Sequence, residues 1–335
     1  MPKRASVPSA HDVARRAGVS QAAVSRAFTP GASIAKETQA RIFRAAKTLG
    51  YRPNLLARSL NKGQSGIVGV IIGNARNPLF MTALDSLSVR LSPAGKHILV
   101  FTADSAEPAD VQVEDLLKYR VDALLLVGAS VSASLIERCR EDGIPITGFN
   151  RPTRKTSGFN SVTGNNRQGA RLIAEHLLEQ GYRRLAVIAG FAGSSTVRER
   201  EAGFNACLTS RGLPQPMREI GHGQREGAMQ ATRRLLARTP RPDAIFCAND
   251  YMALAALEVA RYEFGLKIGR EIGIAGFDDL EQAAWPSFDL TTYSLPLDAM
   301  LDQVVKILLN PPPPGDAVHV VVDGALRLRG STRRQ

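Results

Sequence analysis

The stretch DVARRAGVSQAAVSRAF, Asp12 to Phe28, decides the fold of the N-terminal part of the chain. The capping-box spacing of Ser9 and Asp12 predicts that a helix begins just before it. Gly18 ends that helix, because glycine accepts a left-handed conformation without a Cβ clash. Ser20 then caps a second helix that runs to about Phe28. The residues predicted to face the core are apolar and helically spaced: Val13, Ala14 and Ala17, then Val24 and Phe28.

A third helix is predicted from about Lys36 to Leu49, with Ser33 as its cap and Gly50 as its stop. Two short helices joined by a tight glycine-containing turn and backed by a third form a helix-turn-helix. The N-terminal part is therefore predicted to be a small all-α unit that binds DNA. The predicted inward face of its third helix consists of Ile42, Phe43, Ala46 and Leu49.

The positive charge of the chain is concentrated in this N-terminal part. The whole chain of 335 residues carries a formal net charge of +12, and residues 1–62 hold 12 Lys+Arg against two Asp+Glu. A basic unit joined to a nearly neutral body is the pattern expected of a polyanion binder. A solvated basic face without a partner is the alternative, but these charges lie among helically spaced apolar residues rather than in a polar tail.

The same stretch, followed by LGYRPNLLARSL at Leu49 to Leu60, resembles the lactose-repressor (LacI/GalR) family of bacterial transcription regulators. The resemblance implies that the second helix enters the major groove of a palindromic operator in double-stranded DNA. There an arginine can bond a guanine edge and a glutamine an adenine, whereas alanine offers only a methyl contact. The implied base-reading residues are Gln21, Ala22 and Arg26, and the implied DNA-backbone contacts are His11, Ser20, Ser25 and Thr38.

Residues 53–62 are predicted to connect the DNA-binding unit to the body. Pro53 presets a first helical turn, but the segment is too short to be a stable helix by itself in water. The resemblance implies a hinge helix that forms on the operator, pairs with its twofold mate and wedges Leu60 into the minor groove. A plain interdomain linker is the alternative. The implied hinge residues are Asn54, Leu56, Ala57 and Leu60.

From Gly66 onward, short apolar runs alternate with helical segments, which is typical of parallel α/β sheets with helices on both faces. About 270 residues exceed one doubly wound domain, so two lobes are predicted. The resemblance likewise implies a two-lobed body like that of periplasmic sugar-binding proteins. The predicted strands are Ile67–Ile72, Ile98–Phe101, Ala123–Val127, Ile146–Phe149, Leu185–Ile188, Ala244–Cys247 and Ile272–Gly276.

The predicted domain organisation has three parts. Residues 1–52 form the helix-turn-helix headpiece, residues 53–62 the hinge, and residues 63–335 the effector-binding and dimerisation domain. The chain is expected to cross between the lobes near Ser161–Asn165, near Asp289–Tyr293 and again in the last strands. The lobes then comprise roughly residues 66–161 with 294–322, and residues 162–293 with 323–335.

The cleft between two such lobes is the expected ligand site, because open parallel sheets bind ligands at the carboxyl ends of their strands. Polar residues follow the predicted strands at these ends, and the effector positions of the resembled family fall on the same set. Phe80 is expected to pack on the apolar face of the ligand, while the polar side chains hold its hydroxyls or charges. The candidate effector residues are Asn74, Asn77, Phe80, Asn150, Arg151, Arg200, His222, Asn249, Asp278 and Trp285.

Several of these residues also have plainer interpretations. Asn249, Asp250 and Asp279 have the chemistry of helix caps or turn residues, and for Asp250 a cap is the preferred interpretation. Phe80 alone is more typical of a core than of a ligand platform. Arg200 and Asp278 could form an ion pair across the cleft.

The composition excludes other classes of protein. The cysteines, Cys139, Cys207 and Cys247, are single and lack metal-ligand spacing, so neither a disulfide framework nor a metal site is expected. There is no P-loop, GxSxG or HExxH motif, so no enzyme activity and no cofactor are expected. Gly190-Phe-Ala-Gly193 could cradle a phosphate but lacks the full dinucleotide fingerprint.

With no long apolar run and no secretory signal, a bacterial cytoplasmic, nucleoid-associated protein is predicted, without a membrane partner.

The predicted function is therefore an operator-binding regulator, most simply a repressor, controlled by a small molecule. The sequence ends soon after Arg329–Thr332 without leucine heptads, so a homodimer is expected. Asn150 stands where many sugar-binding relatives of the resembled family carry an aspartate, and Arg151 and Arg200 add positive charge to the cleft. Together they favour a sugar acid or other acidic metabolite over a neutral sugar as effector. The alternatives are a small-molecule receptor of the transport type and a nonspecific architectural DNA-binding protein.

Overall fold

The computed structural model describes residues 8–29, 31–52, 64–104, 107–151, 158–191 and 193–333. The chain separates into two units, Met1–Gly66 and Ile67–Gln335. The described residues of the first unit form helices and no strand, and the second unit contains two β-sheets with helices around them.

The N-terminal unit consists of α1 (Ala10–Ala17), α2 (Gln21–Ala27) and α3 (Lys36–Leu49). The predicted capping box is confirmed: Asp12 N donates to Ser9 Oγ over 3.3 Å, and Ser9 N donates to Asp12 Oδ2 over 3.0 Å. Gly18 follows α1 with a φ of 63°, as its predicted role as the stop requires. At the next helix, Ala23 N donates to the hydroxyl of the N-cap Ser20 over 3.2 Å.

The core of this unit corrects two details of the sequence analysis. Phe43 is 41% exposed rather than buried, because the inward line of α3 runs through Ala45 and Ala46 instead. The Phe43 ring packs on the half-buried Phe28, with 5.0 Å between ring centroids. The prediction that Ser33 caps α3 is also wrong, since the helix begins after Ala35 without a side-chain cap. The buried residues are Val13, Ala14, Ala17, Val24, Ala27, Ile42, Ala45 and Ala46.

The first lobe of the body is built on a six-stranded parallel sheet in the order β11-β5-β4-β3-β1-β2. Its strands are β1 (Ile67–Ile72), β2 (His97–Thr102), β3 (Ala123–Val127), β4 (Ile146–Phe149), β5 (Phe159–Gly164) and β11 (His319–Val322). Its helices are α4 (Pro78–Leu91), α5 (Asp110–Leu117), α6 (Ala133–Glu141) and α11 (Leu297–Leu309).

The second lobe repeats this arrangement in the order β12-β10-β9-β8-β6-β7, with only β12 antiparallel to its neighbour. Its strands are β6 (Leu185–Ala189), β7 (Met217–Ile220), β8 (Ala244–Cys247), β9 (Gly273–Asp278), β10 (Thr291–Ser294) and β12 (Ala325–Arg327). Its helices are α7 (Asn166–Glu179), α8 (Ser195–Ser210), α9 (Arg225–Leu236) and α10 (Asp250–Glu258), the last continued by a π-helical turn, Val259–Glu263.

Both sheets contain the doubly wound strand order 2-1-3-4-5, which leaves a crevice where the order reverses. In the first sheet this point lies between β1 and β3, and in the second between β6 and β8. The chain passes between the sheets after β5, after β10 and between β11 and β12. These passages leave the two crevices within one body, where both open into the same cleft.

The predicted fold class is confirmed, and each of the seven predicted strands is present with bounds shifted by at most two residues. The structure adds five strands that the sequence analysis did not assign: β5, β7, β10, β11 and β12. Within the described residues, no helix is both long enough and apolar enough to cross a membrane. The same residues bring together no cluster of three His, Cys, Asp or Glu side chains suited to a metal ion.

Candidate nucleic-acid interface and ligand cleft

Helix α2 presents the predicted base-reading residues on one surface. Gln21, Ala22 and Arg26 are all exposed, whereas Val24 and Ala27 on the opposite side are only 1% and 3% exposed. The helix can therefore lie against a surface with its polar face while its apolar face stays in the core of the unit. An arginine and a glutamine on such a face have the donors that fit base edges in a major groove.

The predicted DNA-backbone residues surround this face at two helix starts and on α2 itself. His11 and Ser25 are exposed and Thr38 is half-buried. Ser20 is exposed, but its hydroxyl already accepts the amide of Ala23 as the cap of α2. That bond leaves the hydroxyl proton of Ser20 available to donate to a phosphate oxygen. The predicted hinge residues Asn54, Leu56, Ala57 and Leu60 lie outside the described residues.

The ligand cleft lies at the carboxyl ends of the strands in both sheets and has about 600 Å³ of empty space, counted with its open mouth. Nine of the ten candidate effector residues line it. They are Asn74, Asn77, Phe80, Asn150, Arg151, Arg200, His222, Asn249 and Asp278.

The structure places Trp285 elsewhere. It follows a 3-10 turn, Glu281–Ala284, beyond the end of β9, and it is 46% exposed. Its ring faces that of Phe288, with 6.5 Å between centroids, and it is absent from the cleft lining among the described residues. The sequence expectation that Trp285 contacts the effector is therefore not supported by its position.

Arg200 is the central charged group of the second lobe's wall. Its Nη2 lies 3.1 Å from Asp278 Oδ1, and both side chains are almost completely buried. Its Nε donates to Asn166 over 2.9 Å and its Nη1 to the carbonyl of Ala248 over 2.5 Å. The guanidinium also covers the ring of Phe277, with its Cζ 3.7 Å from the centroid. Arg200 thus uses its hydrogen-bond donors mainly to fix the wall of the cleft.

A second buried carboxylate stands behind this pair. Asp250 is fully buried and accepts the amide of Leu280 over 2.8 Å and the hydroxyl of Thr292 over 2.6 Å. Burial, followed by repulsion from Asp278, raises the pKa of Asp250 to about 7. Burial raises the pKa of Asp278 to about 6, against the opposing effect of Arg200. Asp250 and Asp278 therefore both lie close to the positive charge of Arg200.

This geometry corrects the preferred interpretation of Asp250 as a helix cap. The N-cap of α10 is Asn249, whose Oδ1 accepts the amide of Met252 over 2.9 Å. Asp250 is the first residue of the helix and is turned into the core instead. Because the cap bond uses Asn249 Oδ1, the amide nitrogen is the part of Asn249 that remains to donate to a ligand.

Two buried oxygens on the cleft lining have no hydrogen-bond partner among the described residues, and they are Asn150 Oδ1 and Asp278 Oδ1. Asp278 Oδ1 is, however, engaged in the 3.1 Å ion pair with Arg200 Nη2. Both residues have left-handed or positive φ values, 50° for Asn150 and 124° for Asp278. Such backbone strain is typical of ligand sites, and the unfilled acceptors are suited to ligand hydroxyls.

The other wall of the cleft comes from the first lobe. Phe80 is 8% exposed and packs over Gly128, where any Cβ would lie 2.7 Å from its ring. Asn77 caps α4 by accepting the amide of Leu79 over 3.1 Å. Asn74 reaches across the cleft, because its Nδ2 donates to the carbonyl of Gly223 over 3.2 Å. The first lobe thus supplies an apolar surface and, through Asn74, a hydrogen bond to the second lobe.

The sequence analysis did not assign the residues at the start of α8 to the site. Ser194 and Thr196 line the cleft, and their hydroxyls lie 2.8 Å apart. The available signal is Gly190-Phe-Ala-Gly193 between a strand and a helix, which the sequence analysis sets aside because it lacks the full dinucleotide fingerprint. Such a turn places the amide groups of a helix start at a ligand.

Comparisons with known proteins agree with this arrangement. Residues 9–54 match the family described as bacterial regulatory proteins, lacI family. Residues 174–332 match the periplasmic binding protein-like domain. The HTH-type transcriptional repressor PurR of Photobacterium profundum is 28% identical over 310 residues, covering 89% of this chain and 90% of that protein. The ribose operon repressor of Escherichia coli (strain K12) is 28% identical over 311 residues, covering 89% and 91% respectively.

Among solved structures, the crystal structure of the Lac repressor dimer bound to operator and the anti-inducer ONPF is similar along nearly the whole chain. It has a TM-score of 0.84 at 26% sequence identity and covers 97% of this chain and 99% of that one.

Proposed function

Because the chain belongs to the lacI family of bacterial regulatory proteins, we propose that it is a sequence-specific transcription repressor whose operator affinity is set by a small molecule. The observation that carries this proposal is the exposed α2 face. It groups Gln21, Ala22, Ser25 and Arg26 in a basic helical unit that is separate from the ligand cleft. The protein then acts by binding, not by catalysis, and works on the nucleoid in the bacterial cytoplasm.

On DNA, Arg26 and Gln21 would read base edges, while His11, Ser20, Ser25 and Thr38 hold phosphates. A dimer would place two such helices on the halves of a palindromic operator. Residues 1–52 form the headpiece in this proposal and residues 53–62 the hinge, with Asn54, Leu56, Ala57 and Leu60 at the minor groove. The solved Lac repressor dimer with operator and anti-inducer supports this arrangement as an analogy.

In the cleft, a sugar or sugar acid would act as the effector. Asn150 and Asp278 offer unfilled acceptors and Phe80 an apolar surface for the ring of such a molecule. A ligand that contacts both lobes favours one lobe arrangement, and it can shift the DNA-binding equilibrium only by its differential affinity for the two arrangements. The name of the ribose operon repressor supports a sugar as one member of the effector class.

The proposal is tested by selection of DNA from a random pool with the full chain, followed by binding to the selected site and to scrambled DNA at one salt concentration. A specific regulator binds the selected palindrome at least about 10³-fold more tightly than scrambled DNA. Equal affinities would identify a nonspecific architectural protein, and no DNA binding would favour a receptor of the transport type. The matched control Ser33→Ala changes an exposed serine outside the DNA-reading face and leaves the ratio unchanged.

The proposed assembly has its own measurement. Light scattering on the purified protein gives the mass directly, and a homodimer of the 36.1 kDa chain is expected. A monomer at the concentrations that saturate the operator would overturn this part of the proposal, because one headpiece covers only half of a palindrome.

A further inference from the structure

The charges on the cleft lining do not cancel. The arginines and aspartates among the described lining residues are Arg151, Arg200 and Asp278. Arg200 and Asp278 pair with each other, which leaves the half-buried Arg151 as an uncompensated cation. Burial, and then repulsion from the nearby Arg198, lower the pKa of Arg151, so its charge is disfavoured where it stands. A site with one uncompensated positive charge is stabilised by a ligand that carries one negative charge.

The start of α8 faces the same space. This helix is 16 residues long, and its N-cap Ser194 makes no side-chain cap bond. Among the described residues, no hydrogen bond is seen from the amides of Ser195, Thr196 and Val197, the first turn of the helix. These amides and the helix dipole favour an anion. Since Ser194 and Thr196 share one hydrogen bond, one of the two hydroxyls retains a proton to donate.

An independent observation indicates that the ligand also carries hydroxyl groups. Asn150 is 6% exposed and Asp278 4%, yet an oxygen of each lacks a hydrogen-bond partner among the described residues. Asn150 and Asp278 are among the residues that line the cleft together with Arg151 and Ser194. Unfilled buried acceptors cost free energy unless a donor occupies the site.

We propose, on the basis of the proposed function, that the effector is an anionic polyol, a sugar phosphate or a sugar acid, whose anionic group is bound between Arg151 and the start of α8. Ser194, Thr196 and the first amides of α8 hold the anion from the second lobe, and Arg151 holds it from the first. The hydroxyls of the ligand donate to Asn150 and Asp278. Arg200, which the sequence analysis counted as an anion ligand, serves as the support of Asp278.

The position of Arg151 also gives the anion a role in the arrangement of the lobes. Arg151 follows β4 in the first lobe, and its Nη2 already lies 3.5 Å from the carbonyl of Gly193 in the second. An anion seated here contacts both lobes at once, so it stabilises the closed cleft. A neutral polyol of the same length lacks this bridge and leaves Arg151 uncompensated.

Inorganic phosphate is the first probe, because it tests the anion site without knowledge of the effector or of the operator. The thermal midpoint of the full chain is measured against phosphate concentration for the wild type, for Arg151→Gln and for Arg211→Gln. The last variant removes the same charge from the exposed C-terminal end of α8. Phosphate also raises the thermal midpoint of all three proteins by a general salt effect, which is subtracted. The remaining rise is expected to be equal for the wild type and Arg211→Gln and smaller for Arg151→Gln.

Matched ligands then distinguish the two sources of the anion. Glucose 6-phosphate and gluconate are compared with glucose by calorimetry, as are ribose 5-phosphate and ribonate with ribose. At least one anion is expected to bind tenfold more tightly than its neutral parent, and Arg151→Gln removes that advantage. The proposal is overturned if phosphate stabilises all three proteins equally, or if a neutral parent binds as tightly as its anions. Because these measurements use no DNA, they succeed or fail independently of the proposed function.

Discussion

Arg200 Nη2 and Asp278 Oδ1 lie 3.1 Å apart, with only 4% and 2% of their side chains exposed. A buried ion pair of this kind is unfavourable to form on its own, because both charges lose their hydration. It persists here because Arg200 also donates to Asn166 and Ala248 and covers the ring of Phe277. These contacts fix both side chains in the wall of the cleft.

Arg200→Ala should destabilise the body strongly, since it leaves Asp278 and the carbonyl of Ala248 buried without their partner. Removing one member of a buried pair costs about 3 kcal/mol or more of unfolding free energy. Urea unfolding followed by the fluorescence of Trp285, the single tryptophan of the chain, measures this loss in the body. Arg211→Ala, at the exposed end of the same helix, is the control and should cost less than about 0.5 kcal/mol. A comparable loss in both variants would mean that the pair has no special role.

Asp250→Asn should flatten the pH dependence of stability. The pKa of Asp250 is raised to about 7 in the folded protein, whereas the unfolded value is near 3.8. The folded state therefore binds the proton more tightly, so this contribution is present at low pH and is lost as the pH rises from about 4 to about 7. The slope is at most about 1.4 kcal/mol per pH unit. Asparagine stays neutral throughout and keeps two polar atoms for Leu280 and Thr292.

The measurement is the difference in urea unfolding between the wild type and Asp250→Asn at pH 5, 6, 7 and 8. A difference is needed because His176, whose pKa burial lowers, contributes a pH dependence of opposite sign in both proteins. The asparagine variant should gain stability relative to the wild type as the pH rises. Parallel profiles would show that Asp250 is ionised throughout the range.

Apart from the half-exposed β2, the strands that the sequence predicted are buried through apolar residues. Runs such as Ala123–Val127 and Ala244–Cys247 contain no polar residue. They can therefore be identified as strands without an alternation of apolar and polar residues. The sequence analysis did not predict β5 and β10 because their buried positions carry polar residues. In β5, Asn160 donates to the carbonyl of Ile146 and accepts the amide of Val318. In β10, Thr292 donates to Asp250. Only the partners, which are remote in sequence, make these polar residues compatible with a core.

The candidate site was partly predictable for a similar reason. Residues that directly follow an apolar strand, such as Asn74 and Asn150, must lie at the carboxyl edge of a parallel sheet. Trp285 lies seven residues beyond the end of β9, and an intervening 3-10 turn takes it away from the cleft. The start of α8 was missed because hydroxyls and amides at a helix start are common, and only their position opposite Arg151 distinguishes them.

Ser9→Ala should loosen the first helix of the headpiece. The alanine variant loses the two hydrogen bonds between the Ser9 hydroxyl and Asp12 but keeps the backbone N–H of residue 9 as a donor to Asp12 Oδ2. Loss of the N-cap hydroxyl costs about 1 kcal/mol. Hydrogen exchange of the α1 amides in the full chain should therefore become about fivefold faster if local opening limits it. Ser33→Ala is the matched control, since α3 has no side-chain cap to lose. Equal exchange in both variants would indicate that the bonds to Asp12 add nothing in solution.

Arg26→Ala should change which DNA sequences the protein prefers, while Ser25→Ala should change only how tightly it binds. Both residues are exposed on α2, but an arginine fork reads a base edge, whereas a serine hydroxyl bonds a phosphate oxygen of any sequence. With the selected operator and its single-base variants at fixed salt, Arg26→Ala should lose about 1–3 kcal/mol on the operator alone. Operator variants that are mutated at the base contacted by Arg26 should bind the wild type and Arg26→Ala equally. A uniform loss across all sequences would place Arg26 on the DNA backbone instead, and the reading of that base would have to come from Gln21.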